Sequence, residues 1–149
     1  MKTAADIMTR EVITVSPSTS VKALARVLTE HNISGVPVVD EHGAVIGVVT
    51  ESDLIYQNKK IHIPTVVSIL DAVFYLERPD SVEKEIHKIA GSTVADIYNT
   101  EITTVALDTT VDELATIMSE QSVHTLPVLD EGKLVGIIGK KDIIRSIID

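Results

Sequence analysis

The sequence predicts an α+β protein: two β-α-β-β-α repeats packed sheet to sheet with pseudo-two-fold symmetry, and a helical insertion between them. Three observations lead there. The first is internal repetition. Thr3 to Glu41 laid on Thr93 to Glu131, at an offset of 90, matches at 16 of 39 positions. Ala5-Asp6-Ile7 returns as Ala95-Asp96-Ile97, and Pro37-Val38 returns as Pro127-Val128. Dropping His42 shifts the offset to 89 and aligns Gly43, Gly47 and Asp53 with Gly132, Gly136 and Asp142. The second is that each copy switches between strand-like and helix-like apolar spacing. The third is size and composition. A unit of about 50 residues buries too little apolar surface to stand alone, so two copies share a core.

The elements follow in order. Val12 to Val15 and Ile102 to Val105 are short apolar runs that read as opening strands. Ser20 and Thr110 then offer helix N-caps, and Thr110 with Glu113 has capping-box spacing. Val21, Leu24, Val27 and Leu28 recur at helical spacing, mirrored by Val111, Leu114, Ile117 and Met118. Val36 to Val39, a turn at Asp40-Glu41-His42-Gly43 and Ala44 to Val49 form a hairpin pattern; the second copy turns at Asp130-Glu131-Gly132. A second helix starts near Ser52 and near Lys141.

These signals divide the chain into repeat one (1–55), an insertion (56–92) and repeat two (93–149). The insertion carries five Lys/Arg and five Asp/Glu, so the net charge of −9 sits on the repeats. Pro64 opens a predicted helix bearing Val66, Val67, Ile69, Leu70, Val73 and Phe74; Pro79 breaks it and Asp80-Ser81 starts another.

Composition excludes several functions. The chain is 44% hydrophobic and 23% charged, which is globular. Aromatics are 3% with no Trp, and the balance is acidic, so neither base stacking nor phosphate-backbone binding is expected, and no nucleic-acid partner. No Cys means no disulfide, thiolate catalysis or thiolate metal site. No apolar run reaches membrane-span length and no signal core opens the chain, so a cytoplasmic protein without membrane contact is expected. No catalytic motif is visible, and no enzyme is expected. Glu83 and His87 have helical i, i+4 spacing and read as two solvated side chains rather than a metal site.

The informative motif is the strand-to-helix junction. It reads Gly47-Val48-Val49-Thr50-Glu51-Ser52-Asp53 in one copy and Gly136-Ile137-Ile138-Gly139-Lys140-Lys141-Asp142 in the other. A carboxylate there can accept hydrogen bonds from a vicinal diol such as ribose, beside a helix N-terminus that favours phosphate. That is nucleotide chemistry. Thr50-x-x-Asp53 also reads as a capping box with Asp for Glu. Gly139 has no hydroxyl with which to cap, and within the repeat this sets ligand binding ahead of capping.

The doubled unit, with Gly-Val-Val-Thr-x-x-Asp closing the first copy and Pro-Val-Val-Asp before it, resembles a tandem pair of cystathionine β-synthase (CBS) domains, a Bateman module. The two repeats cover about two-thirds of the chain. The resemblance implies a regulatory module binding adenosine ligands (AMP, ADP, ATP, S-adenosylmethionine or dinucleotides) in two clefts. It implies that Asp53 and Asp142 hold ribose hydroxyls, that Thr50 contacts ribose or phosphate, and that Thr14 and Thr104 border the adenine. Ser34, Gly35, Val36 and Pro37 would line the pocket, as would His124, Thr125, Leu126 and Pro127, mostly through backbone and apolar contact. His124 reads equally as a phosphate contact or a half-buried strand-edge residue. Ser34 is its counterpart in the first copy.

The sequence departs from the family pattern at Gly139, where a hydroxyl is lost; Lys140 or Lys141 compensates or is simply solvated. The Asp53 cleft is therefore expected to bind more tightly. Few basic residues lie near the clefts, which favours AMP or ADP over ATP. The long insertion covers an edge, makes a dimer contact or carries a partner surface. Leu54, Ile55, Ile143, Ile144, Ile147 and Ile148 look exposed and point to a homodimer. The alternative function is a structural or dimerisation module with vestigial clefts.

Overall fold

The structure, a computed structural model, describes residues 1–55 and 92–148. The readings at Pro64 to Pro79, Asp80-Ser81, Glu83 and His87 lie outside the described residues. Each repeat contributes one amphipathic helix and one hairpin. In the first these are α2 (Val21–Glu30), β1 (Gly35–Val39) and β2 (Val45–Thr50), after a short α1 (Ala4–Ile7). Helix α3 then begins, described over residues 51–55. The second repeat has a 3-10 turn (Val94–Asp96), α4 (Val111–Gln121), β3 (Thr125–Asp130), β4 (Lys133–Gly139) and α5 (Lys140–Ile148).

Local chemistry sets the boundaries. Ser20 Oγ accepts the Ala23 N–H at 3.0 Å to start α2. Thr110 and Glu113 form the expected capping box at α4. In the first hairpin Asp40 Oδ1 accepts the N–H groups of His42 and Ala44. In the second, Glu131 and Gly132 adopt φ of 51° and 78°, the left-handed geometry of a tight two-residue turn. His42 is an exposed turn residue.

The opening strands are shorter than their apolar runs suggest. Only Val15 and Val105 bridge, in parallel, to Val38 and Val128. Each core lies between its helix and the hairpin face that carries Val36, Val38 and Val49 in one copy and Leu126, Val128 and Ile138 in the other. One contains Leu24, Leu28, Val36, Val38 and Val49; the other contains Leu114, Met118, Leu126, Val128 and Ile138.

The segments before the opening strands cross over. Thr9 pairs with Ile137 on β4, whereas Asn99 pairs with Val48 on β2. Ala4 and Met8 therefore belong to the core of the second repeat, and Val94 to that of the first. Two glycines make the crossing possible. A Cβ at Gly136 would collide with the Met8 side chain, and one at Gly47 with the Tyr98 ring. Met8 and Tyr98 are themselves equivalent positions in the repeat, so the exchange is symmetric.

Candidate functional site

The two strand-to-helix junctions have the same geometry. Thr50 ends β2, and Asp53 sits in the first turn of α3, where its Oδ2 accepts the Thr50 N–H at 2.8 Å and the Thr50 hydroxyl at 3.2 Å. Gly139 ends β4, and Asp142 Oδ2 accepts its N–H at 2.7 Å. A missing hydroxyl at 139 therefore does not remove the cap. The carboxylate caps through the backbone amide, which every non-proline residue possesses. Capping and ligand binding are not exclusive readings: one oxygen holds the helix start and the other remains directed elsewhere.

The remaining oxygen differs between the copies. Asp142 Oδ1 accepts from the Arg145 guanidinium at 3.2 Å. Asp53 Oδ1 has no cation partner among the described residues. The Asp142 carboxylate is buried and Asp53 half-buried.

Beside Asp142 lies a cavity of about 190 Å³, lined by Lys2, Asp6, Ile7, Asp142, Arg145 and Ser146. That is smaller than pockets enclosing drug-sized ligands, roughly 300–1,000 Å³, and suits a ribose or a phosphate. Lys2 is held there by donating from Nζ to the Ser146 carbonyl at 3.3 Å. Sequence reasoning missed Lys2, Asp6, Ile7 and Arg145. The first three arrive through the crossed-over N-terminal segment, which no local pattern announces. Arg145 had a signal, namely its i, i+3 spacing from Asp142.

The hairpin starts meet where the sheets face each other. A Cβ on Gly35 would lie 2.6 Å from Thr125 Oγ1 and 3.0 Å from Thr50 Cγ2. Positions 35 and 125 are repeat equivalents, so only one of them has room for a side chain. Ser34 ties in α3 by accepting the Glu51 N–H on its carbonyl at 2.8 Å. His124 is exposed immediately before β3, rather than half-buried on a strand edge. Thr14 and Thr104 are exposed at the opening strands, and Lys140 and Lys141 at the α5 start.

The side chains of four expected lining residues are fully buried. Val36 and Leu126 are fully buried in the two cores, because strand side chains alternate and these point away from the facing sheet. Pro37 and Pro127 lie on the opposite strand face and are also fully buried. These four side chains position the clefts without offering them open surface. Among the described residues no cluster of metal-ligating side chains occurs, and no helix is long and apolar enough to cross a membrane.

Two copies of one α+β unit, joined sheet to sheet with a capped aspartate at each junction, define a tandem-domain module. The chain belongs to the CBS domain family: the family model matches residues 4–60 and 94–149, one domain in each repeat. It is 30% identical over 155 residues to the chloroplastic CBS domain-containing protein CBSX2 of Arabidopsis thaliana, covering 97% of this chain and 63% of that protein. The chain thus spans less than two-thirds of that relative's length. The crystal structure of CBSX2 in complex with AMP superposes with a TM-score of 0.74 at 27% identity, covering 99% of this chain and 97% of the other. The CBS domain pair of MJ0100, in complex with 5′-methylthioadenosine and S-adenosyl-L-methionine, gives 0.71 at 26% identity, covering 99% and 96%.

Proposed function

We propose that this module binds adenosine-containing ligands in two clefts at the Asp53 and Asp142 junctions, with AMP or ADP in preference to ATP among the phosphate-bearing ones. Binding alters the packing of the repeats, and a partner protein reads the change without any turnover of the nucleotide. The observation that carries this reading is the repeated carboxylate. Each aspartate is anchored at its helix start by one oxygen, which leaves acceptor capacity for a ribose diol on a rigid group. The AMP complex of CBSX2 and the adenosyl complexes of the MJ0100 pair support the ligand class.

Thermal-shift measurements with AMP, ADP, ATP, S-adenosylmethionine and NAD test it. A ligand at a hundred times its Kd stabilises by about 2.7 kcal/mol. In a chain this size that raises Tm by roughly 5–10 °C. Asp53→Ala and Asp142→Ala together are expected to abolish the shift. A panel with no shift at all overturns the reading, and phosphate release that the double variant abolishes overturns the absence of catalysis.

A further inference from the structure

We infer that the two clefts select their ligands by charge: the Asp142 cleft takes a phosphate-bearing adenosine ligand, and the Asp53 cleft an uncharged or cationic one. This rests on the reading of both junctions as adenosine sites and goes beyond it by dividing the ligand class between them. The repeat supplies the control. Equivalent positions at the two helix starts are Glu51 and Lys140, then Ser52 and Lys141, then Asp53 and Asp142. The first two pairs are exposed in both copies, so the difference between them is one of charge, not of fold.

The surroundings extend the difference. Around Asp142 stand Lys2 and Arg145, which line one cavity, and Lys140 and Lys141 immediately precede it in the first turn of α5. Against these four cations are two carboxylates, Asp6 and Asp142. Both carboxylates are engaged: Asp6 by the Thr3 N–H and hydroxyl, Asp142 by the Gly139 N–H and Arg145. Arg145 is 69% exposed, so its other guanidinium donors stay available to an anion. In residues 51–55, the described part of the equivalent helix start, the charged residues are Glu51 and Asp53. Backbone amides at a helix start attract phosphate equally in both copies and cannot discriminate. The side-chain charges decide.

The test uses the full chain and calorimetry. Asp53→Ala leaves the second cleft to be measured, and Asp142→Ala leaves the first; the probes are adenosine (neutral), AMP (anionic) and S-adenosylmethionine (cationic sulfonium). At the Asp142 cleft AMP is expected to bind at least about tenfold more tightly than adenosine. That margin shrinks between about 0.1 M and 1 M salt, as the screening length falls from about 10 Å to 3 Å. At the Asp53 cleft AMP is expected to bind no more tightly than adenosine, and Glu51→Lys is expected to raise the AMP-to-adenosine ratio there. The same AMP preference in both clefts overturns the inference while leaving adenosine binding intact. Failure of all three probes on the unmodified chain overturns the adenosine reading itself, and this inference with it.

Discussion

A Cβ at Gly139 would meet nothing closer than 3.8 Å, at Asp142 Oδ2 and the His124 carbonyl. That is ordinary van der Waals contact, so a side chain fits. Gly139→Thr is expected to fold normally and supply the hydroxyl that Thr50 provides in the other copy. A hydrogen bond between neutral groups contributes about 0.5–1.5 kcal/mol, so adenosine should bind the second cleft roughly two- to tenfold more tightly. Calorimetry in the Asp53→Ala background reads this directly; unchanged affinity would mean the hydroxyl has no part in binding. A second residue-scale expectation concerns acid. The Asp6 carboxyl is held below its ordinary value of 3.8, first by the Thr3 N–H and then by the Thr3 hydroxyl. A lowered folded-state pKa stabilises the fold above the unfolded value, and that contribution is lost as pH falls through the folded one. Asp6→Asn should therefore lower Tm at neutral pH, and the gap from the unmodified chain should close on acidification below 3.8.

At the scale of elements, the crossed-over segments tie each repeat to the other. Met8 is buried against Gly136, within the core built around β3, β4 and α4. Truncating such a side chain costs about 2–5 kcal/mol, because the site cannot fully collapse. Met8→Ala is expected to loosen the second repeat first, although Met8 belongs to the first repeat in sequence. Hydrogen exchange should show protection lost in β4 before β2. Loss beginning in β2 would contradict the exchange. Gly136→Val should destabilise from the opposite side, since an added side chain meets Met8.

On the whole molecule, the outer faces of α3 and α5 carry an apolar surface smaller than the sequence suggests. Leu54 and Ile143 pack against their own cores, whereas Ile55, Ile144, Ile147 and Ile148 remain exposed, the last two about four-fifths so. Exposed apolar side chains of this kind mark interfaces. We propose that it pairs two modules as a homodimer. Sedimentation at tens of micromolar, roughly where standard-sized interfaces hold, should give a dimer. Ile147→Lys should shift it towards monomer with little effect on Tm, because that side chain has little packing to lose within its own chain.

Much of this architecture is legible in the sequence, for local reasons. Repetition at offsets of 90 and 89, caps at Ser20 and Thr110 and turns at Asp40 and Glu131-Gly132 state the unit and its doubling. Asp53 and Asp142 stand out because they recur at one place in that unit. Three things were decided only in the tertiary structure. Apolar periodicity announces a face needing cover but not what covers it. Gly47 and Gly136 are equivalent seats for Tyr98 and Met8, and chain connectivity alone assigns each residue to the opposite repeat. The alternation of strand faces turns the Val36 and Leu126 side chains into the cores. Lastly, the carboxylate environments depend on long-range neighbours: Lys2 reaches Ser146 across 144 positions of sequence, a proximity that only the folded chain creates.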